Sequence, residues 1–398
     1  MVKTLLATGA ALVLGAIAAV AATPAIATEQ VAYKTVAVDG LDIFYREAGP
    51  ADAPTVLLLH GFPSSSHMFR ELIPDLAAQY HVIAPDYPGF GYSSAPSVDA
   101  FAYSFAKLAD VMEGFTDQLG LTSYVLYLQD YGGAIGTRLA IKHPERVRGI
   151  VVQNAVVSIE GWDPVNTAPL QAYWKSRTPE TEKPVRDIIT AEGTRWQYVT
   201  GEPNPERISP DSWTSDQRGL DRPGNDRIQL ELLYQYRDNV ANYPKWQQFL
   251  QELQPPMLIT WGKNDPVFTL AGLEKFKALV PGAEVHVLDG GHFALEAHEK
   301  EIAAAMLDFL GRLPGNGSGE TARAGLRLAR AIRLQPAEQL FHPRGDQRLA
   351  VALRPAAHAA PVGDAVGALR HQPGDRRVRL RPRVEVRNQR LAEVVHGE

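Results

Sequence analysis

Residues 128–133 (LQDYGG) constrain the architecture of this chain more than any other stretch. The run before them, SYVLY at 123–127, is short and apolar, as a buried strand is; the run after them, AIGTRLAIKH at 134–143, has helical spacing and is closed by Pro144. A strand that turns sharply into a helix with small residues at its start lifts one side chain, Asp130, clear of the sheet. The plainer alternative is that Asp130 only caps that helix with its carboxylate.

The residue type restricts the chemistry. A carboxylate is ionised at neutral pH, so Asp130 can attack without a base to deprotonate it. Attack on an acyl carbon would give a high-energy anhydride, whereas attack on a saturated carbon gives an ordinary ester. The second route suits epoxides and carbon–halogen bonds and argues against lipase or esterase chemistry.

Further strand-like runs lie at 31–38, 41–47, 55–60, 81–86, 147–155, 256–262 and 283–288, with helical spacing at 104–119, 270–279 and 296–313. Together they predict an α/β fold: a mostly parallel eight-stranded sheet with helices on both faces. Between 158 and 243 the alternation stops, and Trp, Tyr, Pro and charge without strand signals read as an inserted helical cap. The expected organisation is a core over 28–157 and 244–313, interrupted by the cap.

Three more motifs fall at strand ends. HGFP (60–63) forms a tight turn that aims the Phe62 N–H at an oxyanion, and the N–H of Tyr131 supplies the second donor. His60 itself is read as a packed residue that holds the loop. GKNDP (262–266) places Asp265 at the carboxyl end of a strand, and GGHF (290–293) places His292 after the last one. The chain order nucleophile, acid, histidine is that of a hydrolytic triad, in which His292 activates water against the Asp130 ester and Asp265 orients the imidazole.

With these motifs in order, residues 31–313 resemble the α/β-hydrolase superfamily, in the branch shared by epoxide hydrolases and haloalkane dehalogenases. The resemblance implies the α/β-hydrolase fold with a helical cap, an aspartate nucleophile, a histidine base, a charge-relay acid, and no cofactor. Leu128 departs from the pattern by filling the small-residue position two before the nucleophile. The branches differ in the leaving atom. An epoxide oxygen needs a proton donor, and QAYW (171–174) and YQYR (234–237) resemble the two cap-tyrosine motifs of epoxide hydrolases, which makes Tyr173 and Tyr236 the expected donors. A halide needs N–H donors, commonly a Trp after the nucleophile, where this chain has Tyr131; Phe62 fills the variable HGxP position. The expected function is therefore hydrolysis of epoxides to vicinal diols through a covalent aspartyl ester. The alternative is a haloalkane or haloacetate dehalogenase using the same triad, with Trp174 as halide donor; a non-catalytic binding protein of the same fold is a third reading.

Bulk properties set the remaining bounds. The net charge of −5 points to no nucleic-acid or acidic-membrane partner, and the absence of cysteine excludes disulfides and thiolate chemistry. No metal site is expected, and the partner is a small-molecule substrate. Residues 1–27, with Lys3, an apolar run and Ala25-Ile26-Ala27, resemble a secretory signal peptide, so an exported protein, periplasmic or secreted and free of the membrane after cleavage, is expected. Residues 314–398 are rich in Arg, Ala and Pro and lack lysine, Trp and Tyr, which reads as a disordered, non-catalytic tail.

Overall fold

The computed structural model describes residues 30–314; the expected signal peptide and nearly all of the expected tail lie outside the described residues. Eight strands, β1 (Ala32–Val38), β2 (Leu41–Ala48), β3 (Thr55–Leu59), β4 (His81–Pro85), β5 (Tyr124–Gln129), β6 (Val147–Gln153), β7 (Met257–Gly262) and β8 (Glu284–Leu288), form one sheet in the order β1-β2-β4-β3-β5-β6-β7-β8. β2 runs antiparallel to β1 and β4, and the other pairings are parallel. The edge strand β1 is largely exposed, whereas every residue of β4, β5 and β7 is buried, as strands covered on both faces are.

The helices follow from the crossovers: α1 (Leu72–Ala77), α2 (Phe105–Gln118), α3 (Tyr131–Lys142), α4 (Ala168–Lys175), α5 (Pro179–Arg186), α6 (Ala191–Val199), α7 (Pro210–Leu220), α8 (Asn225–Gln235), α9 (Arg237–Leu253), α10 (Leu270–Leu279) and α11 (Ala294–Arg312). Successive strand residues point to opposite faces, so Leu57, Leu126, Val152 and Ile259 join one core with α2, α3, α9 and α10. Leu58, Tyr127, Val151 and Leu258 join the other with α1 and α11. Between β6 and β7 the chain is helical, and α9 runs unbroken across position 243, where the sequence pattern places the end of the cap. Among the described residues no helix is long and apolar enough to cross a membrane.

Register places the site. Leu59 pairs with Leu128, Gln129 with Gln153, and Gln153 with Thr260, so the central strands end level with one another. The residues that follow, His60, Asp130 and Asn154, therefore emerge on one edge, as do the loops after β7 and β8.

Candidate active site

Asp130 has φ 46° and ψ −110° and makes no side-chain capping bond to α3, so it occupies a strained turn and is not a simple helix cap. The turn brings α3 hard against β3: a Cβ on Gly132 would sit 2.1 Å from the Leu59 carbonyl oxygen. Leu128 is accommodated by Gly136, whose absent Cβ would lie 2.2 Å from the Leu128 side chain. The bulky residue at the position before the turn is thus matched by a small one a helical turn beyond it.

The Asp130 carboxylate accepts the Phe62 N–H at 2.7 Å, and the Tyr131 N–H lies close beside it. The sequence expects both groups as oxyanion donors. Burial raises the Asp130 pKa to about 6, against the opposing pull of His292 and those N–H groups. The carboxylate is therefore still mostly ionised at neutral pH. His60 donates Nδ1–H to the Gly61 carbonyl at 2.9 Å, accepts the Tyr87 N–H at 3.3 Å and stacks on Tyr87. Burial depresses its pKa to about 4, so it is a neutral packing group.

His292 and Asp265 meet at 2.8 Å through Nδ1 and Oδ2, both side chains buried. The other Asp265 oxygen accepts the N–H groups of Val267 (2.7 Å) and Phe268 (3.0 Å). Burial disfavours the charged imidazole, but Asp265 and then Asp130 outweigh it, so the His292 pKa is raised. The Nε2 atom lies 3.4 Å from the Gln129 amide nitrogen.

Two supports went unread in the sequence. Asn154, with φ 41°, donates to Asp265 Oδ2 at 2.8 Å and accepts the Gly262 N–H at 2.9 Å, tying the acid to the end of β7. Its signal was a polar residue closing the apolar run of β6. Glu202, from the helical insertion, accepts the Gly291 N–H at 2.6 Å and so braces the loop carrying His292; nothing in its sequence context marks it.

A cavity of about 240 Å³ opens over Asp130 and His292. Phe62, Tyr131, Trp162 and Tyr236 also line it; among the described residues no lysine or arginine does, and Asp187 adds a carboxyl group to its wall. Tyr236, at the junction of α8 and α9, is buried beside Tyr243, whose hydroxyl accepts the Trp162 indole N–H at 3.0 Å. Tyr173 does not join this group. Its hydroxyl donates to Glu182 at 3.2 Å, a partner on α5, and its ring packs on Tyr234. Trp174 also lies outside the lining, stacked on Tyr236, with its indole N–H given to the Leu233 carbonyl at 2.7 Å. Among the described residues no group of three or more His, Asp or Glu side chains is arranged to hold a metal ion.

Fold and site together have the form of a hydrolase, with the candidate catalytic groups at the carboxyl ends of the parallel strands. Residues 54–299 match the family model for the alpha/beta hydrolase fold, and the chain belongs to that family. An uncharacterized hydrolase of Saccharomyces cerevisiae is 41% identical over 279 residues, which cover 68% of this chain and 93% of the relative. A haloalkane dehalogenase of Psychrobacter cryohalolentis is 27% identical over 294 residues, covering 68% of this chain and 88% of the relative. The crystal structure of the haloalkane dehalogenase DbeA from Bradyrhizobium elkani superposes with a TM-score of 0.60 at 25% identity, covering 71% of this chain and 99% of that one. These similarities place the chain in the dehalogenase and epoxide-hydrolase branch of the family.

Proposed function

We propose that the protein forms and then hydrolyses an alkyl ester on Asp130, and that its substrates are small, neutral, apolar epoxides. The attack step uses Asp130; His292, held by Asp265, activates water for the second step, and the Phe62 and Tyr131 N–H groups hold the oxyanion. A leaving oxygen takes its proton from Tyr236. The observation that carries this choice is the polarity of the donors over Asp130: a phenol lines the cavity, while the indole N–H groups of Trp162 and Trp174 are already bonded to Tyr243 and Leu233. A mostly apolar wall that carries Asp187 and no lysine or arginine disfavours anionic substrates such as haloacetates.

The comparisons favour a second reading, haloalkane dehalogenation by the same aspartate, histidine and acid. Two relatives with a stated activity, from Psychrobacter cryohalolentis and Bradyrhizobium elkani, are haloalkane dehalogenases. Diol formation from styrene oxide and linear terminal epoxides should be measured beside halide release from matched bromoalkanes on the same preparation. Diol formation as the faster reaction is the expected result. Halide release without diol formation would replace the epoxide reading by the dehalogenase one. Export remains part of the proposal: the purified mature chain should begin just after Ala27 when made with its leader.

A further inference from the structure

Helix α6 ends at Val199, and the three residues after it, Thr200, Gly201 and Glu202, lie against both loops that carry the acid and the histidine. Gly201 has φ 86°, and a Cβ there would sit 2.2 Å from the carbonyl oxygen of Asn264, the residue before Asp265. The Gly201 carbonyl in turn accepts the Asn264 side-chain N–H at 2.9 Å. On the histidine side, a Cβ on Gly291, the residue before His292, would sit 2.4 Å from the Thr200 carbonyl oxygen. The Glu202 carboxylate accepts the Gly291 N–H at 2.6 Å. Just upstream, the Tyr198 ring stacks on Phe293, the residue after His292, with centroids 4.0 Å apart. The two loops also meet directly, the Asn264 N–H donating to the Gly290 carbonyl at 3.0 Å. This short strap of the cap therefore touches the chain on either side of His292 and just before Asp265. Glu202 is 8% exposed, so its carboxylate has given up most of its hydration for a bond to one backbone N–H. The loop it holds begins with Gly290 and Gly291 and has little stiffness of its own.

We infer that Glu202 is a positioning residue for the second half of the reaction: it fixes the backbone at Gly291 and with it the aim of His292 Nε2, so that the seating of the cap on the core sets the rate of ester cleavage. The inference rests on the two-step reading through Asp130, whichever bond the first step breaks. Glu202 does not line the cavity and acts through Gly291 alone. Ester formation uses the ionised Asp130 and its Phe62 N–H partner, neither of which Glu202 touches. Ester cleavage uses Nε2 while Nδ1 stays on Asp265. In that step the water oxygen bonds to the ester carbonyl carbon, the proton taken by Nε2 passes to the departing alkoxide, and the remaining acid proton is released as Asp130 returns to carboxylate. A base displaced by about 1 Å from its line to the water costs up to about 100-fold, and only this step contains such a base.

The test compares wild type, Glu202→Ala and Glu202→Gln in single-turnover kinetics with styrene oxide and with 1-bromobutane, following ester formation and ester hydrolysis separately. Glu202→Ala should slow hydrolysis about 10-fold and leave formation within about twofold, so that the ester accumulates. Glu202→Gln keeps an acceptor oxygen for the Gly291 N–H and should restore hydrolysis to within about threefold of wild type. Proton NMR of the resting enzyme gives a readout that needs no substrate. The low-field resonance of the His292 Nδ1 proton held by Asp265, assigned by its absence in His292→Gln, should shift or broaden in Glu202→Ala and persist in Glu202→Gln. Should the alanine variant fail to fold, Glu202→Asp keeps the charge on a shorter side chain that falls short of Gly291, and makes the same comparison. Wild-type hydrolysis with an unchanged resonance in Glu202→Ala, or equal slowing of both steps with a lowered melting temperature, would overturn the inference and leave the two-step reading intact. A wild type that forms no ester with either substrate would overturn that reading and the kinetic role of Glu202 with it.

Discussion

The sheet edge and the helical insertion solve the same problem, placing a polar atom at the wall of the cavity, by different means. At the sheet edge, position follows from backbone: strands ending level, positive φ at Asp130 and Asn154, and a glycine pressed against a carbonyl. In the insertion, position follows from helix phase and packing. Two neighbouring residues of α4, Tyr173 and Trp174, reach toward Glu182 and Leu233, and neither lines the cavity. The first means tolerates little variation and leaves strong local signatures in sequence; the second tolerates much and leaves weak ones.

If that contrast is right, perturbing a cap phenol that lines the cavity should have the largest effect among cap changes. Tyr236→Phe should reduce the rate of ester formation with epoxides about 100-fold at nearly unchanged substrate binding, read from single-turnover kinetics. A loss confined to KM would make Tyr236 a packing residue and weaken the contrast.

Asn154 sharpens it from the other side. Asn154→Ala removes one hydrogen bond to a buried carboxylate, worth about 1.5–3 kcal/mol, or roughly 10- to 100-fold in rate. The loss should fall on ester hydrolysis, where His292 acts as base, and leave ester formation nearly unchanged. Equal slowing of both steps would mean that Asn154 shapes the whole edge and not the triad alone.

Most of the fold was legible in the sequence because the central strands are apolar throughout and the residues at their ends carry turn signatures: GFP after His60, GG after Tyr131, and P after Asp265. Asp130, His292, Asp265, Phe62 and Tyr131 lie where those signatures point. The cap was legible only as composition. The motif QAYW does not state which way its rings turn, since that depends on α5 and α8 packing against α4. On sequence Tyr236 is favoured over Tyr173 only by its place directly before Arg237, because the packing that separates the two exists only in the fold. Asn154 and Glu202 were missed because each acts through another loop, a relation that exists only after folding.

A smaller effect is expected at Tyr173. Tyr173→Phe should change turnover by no more than about twofold and cost about 1 kcal/mol of stability, by loss of one hydrogen bond to Glu182. A large loss of epoxide turnover would return Tyr173 to the reacting centre and require α4 to move.

The insertion also carries a pH dependence of its own. Asp216 of α7 is buried and bonded by the Tyr198 hydroxyl; burial raises its pKa to about 8, against that hydrogen bond. Unfolded, it ionises near its ordinary value of 3.8. Between those values the folded state binds more protons, so this group's contribution to stability is full below about pH 4 and is lost as pH rises toward 8. Melting temperature measured from pH 6 to 9 should therefore fall more steeply for wild type than for Asp216→Asn. Parallel curves would contradict a protonated Asp216 in the folded cap.

The central claim is that Asp130 becomes esterified and that His292 is needed only afterwards. It is tested most directly by intact-protein mass spectrometry of His292→Gln after mixing with a substrate that the wild type turns over. A mass increase equal to the whole epoxide, or to the alkyl group left after halide loss, is expected, located on Asp130 by peptide mapping and absent in Asp130→Asn/His292→Gln. An unmodified mass under those conditions, or an adduct on any other residue, would contradict it.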